Sequence, residues 1–198
     1  MVFKHLAGKI KVEDKDFDLI YPKSFRGISE FHFTPVHVAI QAAKFLGQYK
    51  STRILDIGSG VGKFCMIGSV KAKGNFTGVE YRKSLSNMAD KIARRYQLDN
   101  VEFIHSNINR IDFKDFDAFY FFNSFYENMQ NESKINDEVR LSPDSYHAYS
   151  NYVKDQLDTM PIGTRVVTYF SYMKEMPESY KILKVDFEGK LKMWKKVS

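Results

Sequence analysis

Apolar residues along the chain gather in short continuous runs, and longer stretches with apolar positions at helical spacing separate these runs. The runs predict β-strands at residues 53–57, 76–80, 101–105, 117–122 and 165–171. The longer stretches predict one helix with Thr34 as its N-cap and Pro35 in its first turn, and further helices at residues 63–73, 84–96 and 145–160. This alternation predicts an α/β fold, a doubly wound and mostly parallel sheet with helices on both faces.

The two ends of the chain depart from this alternation. Residues 180–187 and 190–197 carry lysines at a period of two around Glu188-Gly189, which predicts a C-terminal antiparallel hairpin. Residues 1–33 contain turn-forming pairs in place of a periodic pattern, so we expect an N-terminal extension or lid there. Residues 34–198 then form the main domain, in which a long polar connection follows the fourth strand, where open α/β sheets tend to place substrate.

The composition is that of an ordinary globular protein. Of its 198 residues, 43% are hydrophobic and 27% are charged, which suits a single folded core. Cys65 is the only cysteine, so an intramolecular disulfide is excluded, and no Cys or His cluster has zinc-ligand spacing. With no signal-peptide pattern at its start and no apolar window of about 18 residues, the chain is expected to be cytoplasmic, without a membrane segment or a metal.

The formal net charge of +6 owes much to lysines near the C-terminus. These are Lys181, Lys184, Lys190, Lys192, Lys195 and Lys196. Lysines on an edge strand discourage aggregation between sheets, whereas a lysine patch also attracts phosphate backbones. We favour the first interpretation, because no arginine-rich segment or stacked aromatic platform accompanies these lysines, and a nucleic-acid partner is therefore not the favoured one.

A glycine-rich turn follows the first predicted strand, and the spacing of its glycines distinguishes between three kinds of nucleotide-binding site. The turn reads Asp56-Ile57-Gly58-Ser59-Gly60-Val61-Gly62. A phosphate-binding P-loop needs Gly at position 57 and Ser or Thr at position 64, which hold Ile and Phe. A dinucleotide-binding turn needs a third glycine where Lys63 stands.

The D-x-G-x-G-x-G spacing resembles motif I of the class I S-adenosylmethionine (SAM)-dependent methyltransferases. The resemblance implies a seven-stranded sheet and a SAM site formed by Asp56, Gly58, Ser59, Gly60 and Gly62. Glycines at 58 and 60 would let the backbone pass close to the amino-acid moiety of SAM, and Asp56 would hold the turn through hydrogen bonds.

Residues at the ends of the next two strands extend the resemblance. Glu80 ends the second strand 24 residues after Asp56, where a carboxylate can accept hydrogen bonds from both ribose hydroxyls, as it also does in dehydrogenases. Asn107 stands where the family commonly has an Asp that binds the adenine amino group, and an amide oxygen can keep that role. Tyr81 and Ile108 would flank the adenine ring, or would pack at the sheet edge.

The segment after the fourth strand is the candidate site for the methyl acceptor. Its sequence FFNSFYE resembles the Asn-Pro-Pro-Tyr motif of amino-group methyltransferases at Asn123 and Tyr126, without the two prolines. It is also similar to the Asn-Asn-Phe-Ala-Phe stretch of non-SET histone lysine methyltransferases at Asn123 and Phe125. The resemblance implies that Asn123 orients the acceptor and that Tyr126 stacks on a planar one. The alternative is that Asn123 caps a helix, and Glu127 is either a general base or a solvated residue.

These observations predict a SAM-dependent methyltransferase that moves a methyl group to a nitrogen or oxygen of a small-molecule or protein acceptor. Two other functions stay open at the level of sequence. One is a SAM-binding or adenosine-binding module without turnover, suggested by Asn107 and by the absent prolines. The other is an NAD-dependent oxidoreductase, suggested by Glu80 and the βαβ pattern.

Overall fold

The computed structural model describes residues 2–8, 10–123, 125, 135–139, 142–171 and 173–198. Its centre is a seven-stranded sheet in the order β3-β2-β1-β4-β5-β7-β6. The strands are β1 Arg53–Ile57, β2 Asn75–Glu80, β3 Val101–His105, β4 Ala118–Phe122, β5 Arg165–Tyr169, β6 Tyr180–Asp186 and β7 Leu191–Lys196. Strands β1 to β5 pair in parallel, and β7 pairs antiparallel with both β5 and β6. The predicted fold class and its C-terminal hairpin are confirmed.

Helices cover both faces of this sheet. The longer ones are α5 Val36–Leu46, α6 Lys63–Lys71, α7 Lys83–Arg95 and α8 Pro143–Asp158. Shorter ones near the N-terminus are α1 Val2–Ala7, α2 Asp14–Phe17, α3 Lys23–Arg26 and α4 Ser29–His32. Side chains of α5, α6 and α7 share one core with the N-terminal helices, whereas α8 packs against the opposite face. The sheet is thereby buried on both sides, as its continuous apolar strands require.

The predicted start of α5 is wrong in one respect. Thr34 does not cap this helix, because its hydroxyl is 3.0 Å from the Tyr120 hydroxyl, and Pro35 occupies the N-cap position. The amide of Val36 instead donates to Asp14 Oδ1 at 2.8 Å. A carboxylate from α2 therefore accepts the hydrogen bond from the first turn of α5, a capping role that the local sequence predicts for Thr34.

Residues of the N-terminal segment belong to the main core. Leu6, Phe17 and Tyr21 are each at most 1% exposed and pack in the cluster that contains α5 and α6. The buried Lys63, at the start of α6, is 2.7 Å from both Asp14 Oδ1 and Asp18 Oδ1. The segment is thus joined to the helix that follows the glycine turn.

The edge strand β6 carries the features expected of a protected sheet edge. It has a bulge between Ile182 and Lys184, and Lys184 pairs with Asp186 at 2.9 Å. Bulges and edge lysines both oppose pairing with another sheet. Across the described ranges, none of the helices is both long and apolar enough to span a bilayer.

Candidate active site

The glycine turn is held against the neighbouring strand by backbone hydrogen bonds. The amides of Gly58 and Ser59 both donate to the Val79 carbonyl of β2 at 2.9 Å. The Gly62 amide closes the turn on the Ser59 carbonyl at 2.8 Å. Gly58, Gly60 and Gly62 all have positive φ, at 74°, 54° and 78°, a backbone conformation that favours glycine. The sequence therefore specifies both the turn and its conformation.

Two of these glycines have different surroundings. A Cβ on Gly62 would lie 2.3 Å from the Phe103 ring, so this glycine is needed for packing between the turn and β3. Within the part of the chain that the structure describes, a Cβ on Gly60 would have no atom of another residue within 4 Å. Gly60 therefore faces open space at the carboxyl end of the sheet, where a ligand can approach its backbone.

Asp56 precedes the last residue of β1, lies inside the protein and is 3% exposed. Burial, together with the nearby charge of Glu80, raises the pKa of its carboxyl from 3.8 to about 8, against a hydrogen bond from Cys65 that lowers it. The Cys65 thiol donates to Asp56 Oδ2 at 3.5 Å. Near neutral pH the Asp56 carboxyl is therefore readily protonated. The glycine turn is held in place by its hydrogen bonds to Val79.

Glu80 connects the end of β2 to the glycine turn. Its Oε2 accepts from the Gly60 amide at 3.0 Å, and its Oε1 accepts from the Arg82 amide at 2.8 Å. The Arg82 guanidinium lies 3.9 Å from the same Oε1. A carboxylate oxygen can accept more than one hydrogen bond, so its contacts with the turn are compatible with the predicted ribose contact of Glu80.

The predicted adenine-contacting residues lie along the same edge. Asn107 follows β3, accepts from the Asn109 amide at 3.2 Å and donates its Nδ2 to the Tyr149 hydroxyl at 2.9 Å. Ile108 is buried in the core beside α8, whereas the Tyr81 side chain is exposed. The amide oxygen of Asn107 retains a lone pair, and its adenine contact, like those of Tyr81 and Ile108, stays a prediction.

A small polar cavity of about 30 Å³ lies beneath the glycine turn. Asp56, Ser59, Thr34 and Phe122 contribute to its wall. The Ser59 hydroxyl is buried without a hydrogen-bond partner within the described parts of the chain, as expected of a group that a bound polar ligand would satisfy. Sites for drug-sized ligands occupy roughly 300–1,000 Å³. This cavity by itself is therefore too small to hold a whole SAM molecule.

Asn123 lies at the end of β4 with a φ of 41° and is partly buried. Asn adopts this left-handed backbone more readily than most residues, whereas an N-cap residue is typically extended. The conformation thus favours a turn over a helix cap at Asn123. Tyr126 and Glu127 lie outside the described residues, so their proposed roles stay predictions.

Sequence reasoning missed two features of this edge. One is the ion-pair cluster of Lys63 with Asp14 and Asp18, because nothing local links residues so far apart. The other is Phe170, which directly follows β5 with a φ of 51° and 45% exposure. Only the Tyr-Phe-Ser sequence ending a predicted strand could have drawn attention to it.

Comparison with known proteins agrees with this geometry. A family model described as a methyltransferase domain matches residues 48–192. An RNA methyltransferase from Salinibacter ruber, solved with S-adenosyl-L-homocysteine (SAH), is 20% identical, with coverage of 83% of this chain and 94% of its own and a TM-score of 0.59. No curated protein matches the chain.

Two further solved structures share the fold. A SAM-dependent methyltransferase from Aquifex aeolicus is 14% identical, with coverage of 90% of this chain and 100% of its own and a TM-score of 0.55. TrmN from Thermus thermophilus is 13% identical and reaches a TM-score of 0.61 over 87% of this chain, which spans only 52% of TrmN. At these identities the likeness establishes the fold and not the acceptor.

Proposed function

The chain belongs to the methyltransferase domain family, and from this premise we propose that it transfers the methyl group of SAM to a nitrogen or oxygen at the carboxyl end of β4. The enzyme is a SAM-dependent methyltransferase. One observation carries the proposed placement of the cofactor: the turn at Gly60 is bonded to the buried Glu80 yet open to ligand.

The order of these residues along the carboxyl edge of the sheet matches the order of the chemical groups in SAM. Gly58 and Gly60 would lie beside its amino-acid moiety, and Glu80 would accept from its ribose. Tyr81, Asn107 and Ile108 follow on the neighbouring strand ends and would surround its adenine. SAM supplies an electrophilic methyl group on a sulfonium, so the protein mainly has to position the acceptor and exclude water.

Asn123 is the proposed acceptor-orienting residue. Its side-chain oxygen can accept a hydrogen from an amino or hydroxyl group, which would direct a lone pair of that group toward the methyl carbon. As that lone pair forms the new bond, the sulfur keeps the electrons of the broken bond, and the acceptor loses a proton to solvent. The acceptor class proposed from sequence is a small molecule or a protein.

We also propose that residues 1–33 act as a lid. Phe33, the last residue of this segment, lines the cavity beneath the glycine turn, and the Tyr21 hydroxyl lies 3.5 Å from the Val61 carbonyl of that turn. A wall built from this segment would enclose the cofactor after it binds and would exclude water from the transfer.

A thermal-shift comparison of SAM, SAH, NAD and ATP tests the cofactor assignment. A ligand at 100 times its dissociation constant adds about 2.7 kcal/mol to the free energy of unfolding, so SAM and SAH should raise the melting temperature clearly. NAD and ATP should leave it unchanged. Stabilisation by NAD without stabilisation by SAM would contradict the proposal.

Replacement of Asn123 by Ala tests the acceptor role. The transfer rate should fall much more than the affinity for SAM, because the lost contact is to the acceptor. Tyr126→Phe should be tolerated and Tyr126→Ala should not, if a planar acceptor is held by stacking. A loss of about 1 kcal/mol in stability at position 123 with normal turnover would instead indicate a cap.

A further inference from the structure

An exposed aromatic side chain follows β5 in a backbone conformation that aromatic residues rarely adopt. Phe170 has a φ of 51° and is 45% exposed. Bulky residues with positive φ persist where their surroundings hold them, and they concentrate at functional sites. An exposed phenyl ring in such a position is therefore a candidate contact for a ligand.

The surroundings of Phe170 fix its position. Its amide donates to the Lys190 carbonyl of the hairpin at 2.9 Å, and its ring packs edge-on against Tyr169, with 4.7 Å between the centroids. The Ser171 hydroxyl accepts from the Met173 amide at 2.9 Å and donates to the buried carboxyl of Glu175. Polar contacts thus join Ser171 to Met173 and Glu175, and almost half of the Phe170 side chain is left exposed.

Phe122 links this ring to the cavity beneath the glycine turn. Phe122 lines the cavity that Asp56 and Gly58 also line. Its ring lies 4.9 Å from that of Tyr169 and 6.2 Å from that of Phe170. The exposed ring is therefore on the acceptor side of the site, at the carboxyl end of the strand beside Asn123.

A cation lies beside the same ring. Lys190 Nζ is 5.5 Å from the Phe170 centroid and 3.3 Å from Glu188 Oε2, and the Glu188 side chain is 86% exposed. Such surface ion pairs contribute little and exchange readily, so an anionic ligand can replace Glu188. The fold thus joins a stacking face to an available ammonium, although the two residues are 20 positions apart in sequence.

We propose that Phe170 and Lys190 bind the methyl acceptor and that this acceptor is a nucleotide. Its base stacks on Phe170, and Lys190 binds its phosphate. Aromatic side chains stack with every base, and lysine is a common phosphate ligand. This inference rests on the proposed function, and it supplies the aromatic platform that the lysines lack in the linear sequence.

Calorimetric titration of the SAH-saturated full chain tests the inference. The ligands are AMP, GMP, CMP and UMP, a ten-residue single-stranded oligoribonucleotide, and ribose 5-phosphate as an anion without a base. At least one nucleotide should bind more tightly than ribose 5-phosphate. Tighter binding of the oligonucleotide would identify a base within a strand as the ligand, and equal binding would identify a free nucleotide.

Four variants assign the binding to these side chains. Phe170→Gly removes the ring and accepts the positive φ, and it should weaken nucleotide binding by about fivefold or more. Phe170→Trp should retain binding, and Lys190→Gln should weaken it and reduce its dependence on salt. Tyr49→Ala removes an aromatic ring that is 69% exposed and precedes the amino end of β1, opposite the carboxyl ends where Phe170 lies, and it should leave nucleotide binding unchanged.

The outcomes separate this inference from the proposed function. Unchanged nucleotide affinity in Phe170→Gly, or nucleotides that bind no better than ribose 5-phosphate, would overturn the inference while SAH still binds. Failure of SAH itself to bind would contradict the proposed function. The nucleotide titration is also run without SAH, so it gives a result in either case.

Discussion

At the scale of single residues, Gly60 and Gly62 have different roles although they are two positions apart. We predict that Gly60→Val abolishes SAM binding in a chain that remains folded, because the added carbons enter space that none of the described residues occupies. The positive φ of 54° should cost about 1–2 kcal/mol of stability. Titration with SAM and urea unfolding would measure both effects, and normal SAM affinity would locate the cofactor elsewhere.

Gly62→Ala should mainly reduce the stability of the fold, whereas Gly60→Val should mainly reduce SAM binding. Its Cβ would meet the Phe103 ring at 2.3 Å in addition to a φ of 78°, so the loss of stability should exceed that of Gly60→Val. Phe103→Leu, combined with Gly62→Ala, should recover part of it by removing the ring atoms in contact. Equal stability of Gly62→Ala and the wild type would show that the turn tolerates a shift away from β3.

Asp56 makes stability depend on pH. Because burial raises the pKa of its carboxyl from 3.8 to about 8, the folded state binds a proton more tightly than the unfolded state. The stability that the protonated carboxyl contributes is fully present below pH 3.8. It decreases as the pH rises above this value and is lost once the pH has passed 8. We predict that Asp56→Asn, without SAM, becomes progressively more stable than the wild type between pH 4 and 8. Melting curves across this range would test it, and parallel profiles would contradict it.

At the scale of elements, the sequence predicts the strands better than the helix ends. The bounds of β1 and β3 are as predicted, because their apolar runs end at a glycine or a polar residue. The start of α5 differs, because Asp14 of α2 supplies its cap from a distance of 22 positions. Local patterns specify elements that bury their own side chains, but not a contact made by another element.

The contact between α2 and α6 gives a prediction at this scale. Lys63 is 2% exposed and bonds to Asp14 and Asp18, so Lys63→Met would leave the buried Asp18 carboxylate without its ammonium. Loss of one partner from a buried pair typically costs about 3–5 kcal/mol. Urea unfolding should report a loss of this size, and proteolysis should cut the N-terminal segment faster.

Two controls distinguish the effect of an unpaired buried charge from the effect of removing a lysine in general. Adding Asp18→Asn to Lys63→Met should restore part of the stability, since it removes the uncompensated carboxylate. Lys71→Met, on the same helix, removes an ammonium whose partner is the Leu6 carbonyl and should cost less. A smaller loss in Lys63→Met than in Lys71→Met would contradict the proposed anchor.

At the scale of the whole molecule, the sheet order explains which parts of the site are predictable. Asp56 and Glu80 lie near the ends of β1 and β2, and Asn107 follows β3. Because these three strands are neighbours, the order of the residues in the chain already indicates one edge. Phe170 and Lys190 meet only because β7 pairs antiparallel with β5. The N-terminal wall depends on tertiary contacts that have no local signal.

The lid makes a prediction that involves the whole molecule. Because residues 32–34 line the cavity beneath the glycine turn, we expect SAH bound at this turn to order this wall. We predict that SAH slows amide hydrogen exchange in residues 18–34 as well as in 56–62. Residues 180–197, away from the proposed cofactor position, serve as the internal reference.

The same experiment on Lys63→Met distinguishes closure from simple contact. If Lys63 anchors the wall through Asp14 and Asp18, this variant should lose the added protection of residues 18–34 and keep that of 56–62, since the glycine turn is held by Val79 and Glu80. Its SAH affinity should fall because the site stays open. Protection limited to the glycine turn in the wild type would mean that SAH binds without closure, and residues 1–33 would then be a fixed part of the core.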